Sequence, residues 1–391
     1  MKKLLSTLFI CIPCYMLRAA DVTLSVGNPQ DCQRQEVVEV ALHDICSLMG
    51  VEDTTQLIVR NGFGQEVASQ RTYDGKLLLF IAVQPRATAT YTISKGEPSA
   101  YRSFVSGRMY PERSDDIAWE NDVSIYRVYG PALQRSGERS FGTDVWVKNT
   151  PELVAEHRYR QHLWGVRQCD SLKAAGKSKE ANDIYMATSF HHDHGYGLDC
   201  YGVGASLGCG APALMKAGKL IFPYCYKDYR ILDNGPLRFT VELTYNTDAD
   251  GVTEHRLISL DRGSHFNRMT VWYEGIHKPL ALAMGVVLHD DDHLVLGRNY
   301  VQYADPTDNP RLHQSQIYVA TLFPNAVDET ILLKGTPNHG VGIVNRYQGE
   351  PYTYYFGSAW SHYDIRNQTQ WQRCIDDFFE QLDNPLNISL Q

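Results

Sequence analysis

Phe239-Thr240-Val241-Glu242-Leu243-Thr244-Tyr245 places an apolar residue at every second position, the period of a strand with one face in a core and the other turned away from it. The same rhythm runs downstream through His255-Leu257-Ser259 and Met269-Val271-Trp272-Tyr273, and upstream through Val123-Ile125-Arg127-Tyr129. Repeated strands of this kind predict a mainly β unit over residues 101–391. Two stretches break the rhythm. Between residues 152 and 183, Leu163, Val166, Leu172 and Ala175 recur at helical spacing beside a polar run from Lys173 to Asn182, which predicts a helical insertion. From Thr369 to Leu382, Trp371, Ile375, Phe378, Phe379 and Leu382 form one apolar stripe, and Pro385 ends the helix it predicts.

Residues 21–100 have a finer grain. Short apolar runs at Val22–Val26, Gln56–Val59, Leu77–Ala82 and Ala89–Ile93 alternate with Asn61-Gly62 and Asp74-Gly75, pairs that favour tight hairpins because both residue types accept positive φ. A small antiparallel β-sandwich, packed as one unit with the later strands, fits this portion. Val37 to Met49 reads equally as a helix or a pair of strands.

Lys2 and Lys3 precede an apolar run, Leu4 to Leu17, too short to cross a bilayer comfortably, so residues 1–20 read as an export signal and the mature chain as periplasmic or cell-surface. Cys11 and Cys14 lack the small residues that precede a lipid-attachment cysteine. The chain carries 37 basic and 45 acidic residues for a net charge of −8, and losing Lys2, Lys3 and Arg18 with the signal makes it more negative still. Such a chain is not expected to bind nucleic acid. No later segment is long and apolar enough to span a membrane. The cysteines remaining after residue 20, an odd number without CxxC spacing, predict neither a zinc ribbon nor a full disulfide framework. Phosphate-loop, dinucleotide, nucleophile-elbow and HExxH motifs are absent from the sequence.

The densest chemistry lies in Phe190-His191-His192-Asp193-His194-Gly195-Tyr196-Gly197-Leu198-Asp199-Cys200-Tyr201. In an extended strand His192 and His194 would share a face, suited to proton transfer, a cation or a sugar hydroxyl, with His191 opposite; a surface loop of hydrogen-bonded histidines is the plain alternative. A second cluster, Asp115 to Asp122, offers Glu120 and Asp122 as acid or base and Trp119 as an apolar face for a pyranose, with Arg127 placed to bind a carboxylate. An acidic turn entering a strand explains the same residues without chemistry. His289-Asp290-Asp291-Asp292-His293 suits a divalent cation or a solvated hairpin tip. Trp360 and His362 would complete a sugar cleft or cap the last helix.

Taken together, Asp115–Asp122, Arg127–Leu133, Asp144–Lys148, His191–Gly195 with Gly197–Asp199, and Asn234–Arg238 resemble an uncharacterised family of exported bacterial proteins that accompany enzymes degrading pectin and other uronic-acid glycans. The resemblance covers residues 22–391. It implies a galactose-mutarotase-like antiparallel supersandwich, a saccharide ligand, and a histidine acid with a carboxylate base, for which His192 or His194 with Glu120 or Asp122 would serve. The expectation that follows is an enzyme acting on uronate-containing oligosaccharides as lyase, glycoside hydrolase or epimerase, with His192, Tyr201 and Arg127 for elimination or Glu120 and Asp199 for hydrolysis. No cofactor is required, although a divalent cation is compatible. The competing class is a noncatalytic binder that stacks sugars on Trp119, Tyr201 and Trp360.

Overall fold

A computed structural model describes residues 20–290, 292–308 and 315–391; the export signal expected over residues 1–20 lies almost wholly outside them. An eight-stranded sheet forms the backbone of the fold, in the spatial order Tyr226–Asn234, Arg238–Tyr245, Thr253–Asp261, Phe266–Glu274, Tyr352–Trp360, Ile317–Leu322, Tyr300–Asp305 and Leu294–Leu296. Two five-stranded sheets face it. One joins Ser106–Tyr110, Asp116–Glu120, Ile125–Val128, Asp144–Val147 and Leu198–Asp199; the other joins Lys219–Ile221, Cys209–Lys216, Leu280–Val287, His339–Tyr347 and Glu329–Leu333. One continuous core, including Trp119, Tyr126, Phe239, Val241, Met269, Met284 and Phe356, fills the space between the layers. The mainly β expectation thus takes the form of layered antiparallel sheets with few helices.

The alternation that opens the sequence is obeyed by Phe239, Val241, Leu243 and Tyr245, all buried. In the next strand the opposite residues are buried: Glu254, Arg256, Ile258 and Leu260 face inward, and His255, Leu257 and Ser259 do not. Glu254 and Arg256 are tolerated there because they pair at 2.5 Å, so neither charge is left alone in the core.

Among the described residues five α-helices interrupt the strands. Val37 to Met49 is both things at once, the strand Arg34–Ala41 running directly into α1 (Leu42–Met49). Helix α2 (Pro131–Arg135) is one short turn. The expected insertion is a hairpin of α3 (Ala155–Ala174) and α4 (Ser178–Thr188), broken at Gly176 with φ +73°. Its buried stripe is Ala155, Arg158, Tyr159, Gly165 and Cys169, while Val166 is exposed. Any Cβ on Gly165 would lie 1.8 Å from Thr188 Oγ1, so the two helices touch where that side chain is missing.

Helix α5 (Gln368–Asp383) seals the outer face of the long sheet with Trp371 and Ile375. Its N-cap is Asn367, whose side chain accepts the Gln370 N–H at 3.0 Å. Asn367→Ala is expected to lower stability by about 1 kcal/mol, read as a shifted urea midpoint with an unchanged slope; an unmoved midpoint would show the cap to be idle.

The N-terminal portion holds a three-stranded sheet and a five-stranded one, whose buried residues share one core. Its edge comes from the other end of the chain: Asn387–Leu390 pairs antiparallel with Val22–Gly27. Among the described residues no helix is long and apolar enough to cross a membrane.

Candidate active site

Asp116–Glu120, Ile125–Val128, Asp144–Val147 and Leu198–Asp199 lie side by side, with Arg127 opposite Asp144 and Trp146 opposite Asp199. Their alternate residues Trp119, Tyr126, Val145 and Leu198 enter the main core, so strand geometry sends Asp116, Arg127, Asp144 and Asp199 to the other face. Helix α3 and Phe190 cover that face, which leaves all four side chains buried.

Arg127 is the hub. Its Nη2 donates to Asp144 Oδ2 and, at 3.0 Å, to Asp199 Oδ2, while Nη1 stands 3.6 Å from Asp116 Oδ2. The guanidinium also lies over the rings of Tyr129 and Trp146, at 4.9 and 5.0 Å from their centroids. Three carboxylates share one cation. Burial raises Asp116 to about 6 and lifts Asp144 and Asp199 as well, even though Arg127 pulls all three down. Several atoms here have no hydrogen-bond partner: Arg127 Nε and Nη1, Asp116 Oδ1, Asp144 Oδ1 and the Tyr201 hydroxyl. Orphaned polar atoms in one buried place are costly, which makes this cluster a candidate site.

The histidine-rich segment folds over this cluster as a series of turns, with only Leu198–Asp199 extended. Asp193 Oδ1 accepts three backbone N–H groups, from Gly195, Tyr196 and Gly197, at 2.8–3.1 Å. Arg158 of α3 donates to the carbonyls of Gly197 and Phe190. Gly197, with φ +102°, presses so close to the strand beneath that any Cβ would lie 2.0 Å from Val147 O.

The turn separates the imidazoles that a strand would have paired. His191 alone faces the cluster: Nδ1 donates to Asp199 O at 2.9 Å and lies 3.8 Å from Asp199 Oδ2, while 48% of the side chain stays open to solvent. His192 turns to the ring of Tyr185, and His194 Nε2 donates to Ser189 O at 2.9 Å, so neither meets an acidic partner. Burial lowers His191 against the upward pull of its Asp199 hydrogen bond. Beside it His162 of α3 stacks on Phe190 at 3.8 Å and is pressed down to about 4 by burial and then by the charges of His191 and Arg113. The two imidazole rings lie 6.1 Å apart, edge to face, above the cluster. Arg113, half-buried, is the remaining cation whose charge reaches Asp116, Asp199, His162 and His191.

Other expected site residues serve different ends. Glu120 holds the buried Lys148 at 3.0 Å and accepts the Val154 and Ala155 N–H groups that begin α3. Asp122 accepts from Gly263 N at 2.6 Å on a different part of the surface. Trp119 is fully buried with its indole N–H on Asn267, and Trp360 is 3% exposed, so neither presents a stacking face; His362 is exposed beside Trp360. Arg127 is already surrounded by this chain's own carboxylates and has no free face for a ligand's.

Tyr201 leads from the cluster to a second polar pair. Its ring meets His289 edge-on at 5.7 Å, and its buried phenol feels both Asp144 and Asp305. His289 Nδ1 bonds Asp305 Oδ2 at 2.6 Å, and Asp305, fully buried, also accepts the Thr307 N–H. Burial opposes protonation of His289, but Asp305 outweighs it and raises the imidazole. Of the stretch His289–His293, read from sequence as either a divalent-cation site or a solvated hairpin tip, the first member is tied to Asp305; Asp291 lies outside the described residues. Among the described residues no group of three or more His, Cys, Asp or Glu is arranged to hold a metal. None of the seven described cysteines is in a disulfide.

Sequence reading missed Arg113, His162 and Asp305, and it quoted Asp116 and Asp144 only within the stretches Asp115–Asp122 and Asp144–Lys148 without naming either as a site residue. For Asp144 a signal existed: an acid alternating with apolar residues in Asp144-Val145-Trp146-Val147 is a carboxylate sent to a covered face.

Residues 26–388 match a family model described as "Domain of unknown function (DUF4861)". Uncharacterized protein P7 of Formosa agariphila is 26% identical over 301 residues, covering 73% of this chain and 69% of that protein. Among solved structures, a protein in glycosyl hydrolase family 38 from Enterococcus faecalis superimposes with a TM-score of 0.53 at 9% identity, over 95% of this chain and 47% of the other. An alpha-mannosidase from Enterococcus faecalis V583 gives 0.47 at 9% identity, over 95% and 46%. The chain spans about half the length of these two proteins, and the likeness is one of fold.

Proposed function

The chain belongs to the DUF4861 family, and from the geometry around His191 we propose that it is a carbohydrate-active enzyme that removes a proton beside the carboxyl of a uronate-containing oligosaccharide. The observation that carries this reading is the Nδ1 hydrogen bond from His191 to the Asp199 carbonyl at 2.9 Å. It fixes the tautomer, leaving the Nε2 lone pair toward solvent, and the lowered pKa keeps the ring unprotonated near neutrality. A base needs a partner that stabilises the charge it creates. Arg113 carries no ion pair among the described residues and lies within electrostatic range of His191, so it is suited to the substrate carboxylate and to the enolate formed from it.

Hydrolysis is less well served. It wants two carboxylates flanking a bond, and here Asp116, Asp144 and Asp199 are buried round Arg127 while Glu120 is committed to Lys148 and α3. In elimination His191 takes the proton beside the carboxyl, the electron pair forms the double bond as the C–O bond breaks, and the proton returns from the imidazolium or from water to the departing oxygen; in epimerisation water would return a proton to the opposite face. In this reading Arg113, rather than a bound cation, supplies the positive charge opposite the substrate carboxylate. The likeness of the fold to part of a glycosyl hydrolase family 38 protein is compatible with a saccharide ligand but does not assign the reaction. Work outside the cytoplasm accords with the basic, apolar start of the chain.

Incubation with pectic and other uronate oligosaccharides in deuterium oxide tests this reading, since proton abstraction leads to solvent deuterium beside the carboxyl or to the ultraviolet absorbance of an unsaturated product. His191→Ala is expected to lower either signal about a hundredfold or more with the unfolding midpoint unchanged. The acid limb of kcat/KM should fall below pH 6.5, the ordinary imidazole value from which His191 is lowered. New reducing ends without deuterium or absorbance would mean hydrolysis and overturn the reading, as would full activity in the variant.

A further inference from the structure

A cavity of about 630 Å³ opens far from His191, where the strand Arg34–Ala41, the outer face of the long sheet and α5 converge. It falls within the range of small-ligand pockets, about 300–1,000 Å³. Most charges lining it are satisfied internally. Arg238 bridges Asp261 at 2.5 Å and Glu39 at 2.6 Å, which ties the N-terminal sandwich to the sheet, and His265 bonds Asp364 at 2.9 Å. Arg268 and Arg373, both exposed, have no ion pair or hydrogen bond among the described residues, and they line the cavity from the sheet and from α5 respectively. Tyr355 and Phe378 add aromatic surface between them.

We propose that this junction is a second binding site, for an acidic saccharide whose carboxylate or sulfate is held by Arg268 and Arg373 while a ring face lies against Tyr355 or Phe378. The two guanidiniums come from different elements of the one lining, which also carries the exposed Asp377, and each can give an oxyanion a charge-assisted hydrogen bond. Aromatic rings give the apolar face of a sugar somewhere to rest. A neutral sugar would keep the stacking and lose the ionic contacts.

Calorimetric titration with trigalacturonate, a sulfated disaccharide and a neutral trisaccharide reads this directly and without turnover. Arg113→Ala/His191→Ala, which disables the first site, is expected to retain binding of one acidic saccharide per chain. Adding Arg268→Ala/Arg373→Ala is expected to weaken that binding about tenfold or more, and the neutral trisaccharide should bind weakly to every variant. Unfolding midpoints confirm that each variant folds. Undiminished affinity after loss of both arginines, or equal affinity for the neutral sugar, would overturn the proposal. Because the readout is binding, failure of the catalytic reading leaves this result intact, and the reverse also holds.

Discussion

Arg127→Met is expected to destabilise the fold by about 3–5 kcal/mol, because it removes the single cation from a buried group of three carboxylates. The loss should depend on pH, and its sign follows from the raised acids. Asp116 sits at about 6 when folded against 3.8 ordinarily, so its contribution to stability is fully present below the unfolded value and is lost as pH rises through the folded one. Asp144 and Asp199 shift in the same direction. In the variant only the weaker pull of Arg113 and Arg158 remains to offset the charge that appears on ionisation, so its urea midpoint should lie far below the parent's at about pH 8 and recover much of the difference at about pH 5. Equal midpoints for parent and variant at the higher pH would show that the guanidinium does not hold the cluster together.

Glu120→Ala should cost a similar amount for a different reason. Its carboxylate is the ionic partner of Lys148, whose ammonium is fully buried and otherwise bonded only to the carbonyls of Asn121 and Glu152. The same carboxylate receives the first two N–H groups at the start of α3. Losing it strands a buried cation and leaves a helix end unsatisfied, for about 3–5 kcal/mol. Glu120→Leu/Lys148→Met should recover part of the loss, since replacing both charges removes the desolvation problem although the helix end stays bare. Hydrogen exchange should then show α3 and α4 opening first. A double variant no more stable than Glu120→Ala would mean that the helix end, not the ion pair, dominates.

How much of this could be read from the chain divides along physical lines. Strand rhythm exposed the sheets, and the stripe from Trp371 to Phe379 exposed the last helix, because a partly covered surface imposes a period. The period misled where charge entered the core: Glu254 and Arg256 made the buried face of Thr253–Asp261 look like the wet one. It also misled in α3, whose buried residues include Arg158 and Gly165 rather than a leucine stripe. At the site, the histidine-rich segment stood out by composition, but its conformation did not. Glycines at 195 and 197 with positive φ, and Asp193 collecting three N–H groups, make a turn that parts His191 from His192 and His194. Nothing local announced that Arg113, Asp144 and His162, from a short helical turn, a strand and a helix, would gather beside His191. Pairing across strands and the docking of α3 decide that.

The bond between residues 22–27 and residues 387–390 joins partners separated by nearly the full contour of the polypeptide. Closing so long a loop is entropically demanding, so the first sheet should acquire its final border late and slowly, after the central layers have assembled. Until then Val22–Gly27 presents an unfilled edge to any passing strand. A nascent chain would carry that vulnerability until residues 387–390 are made.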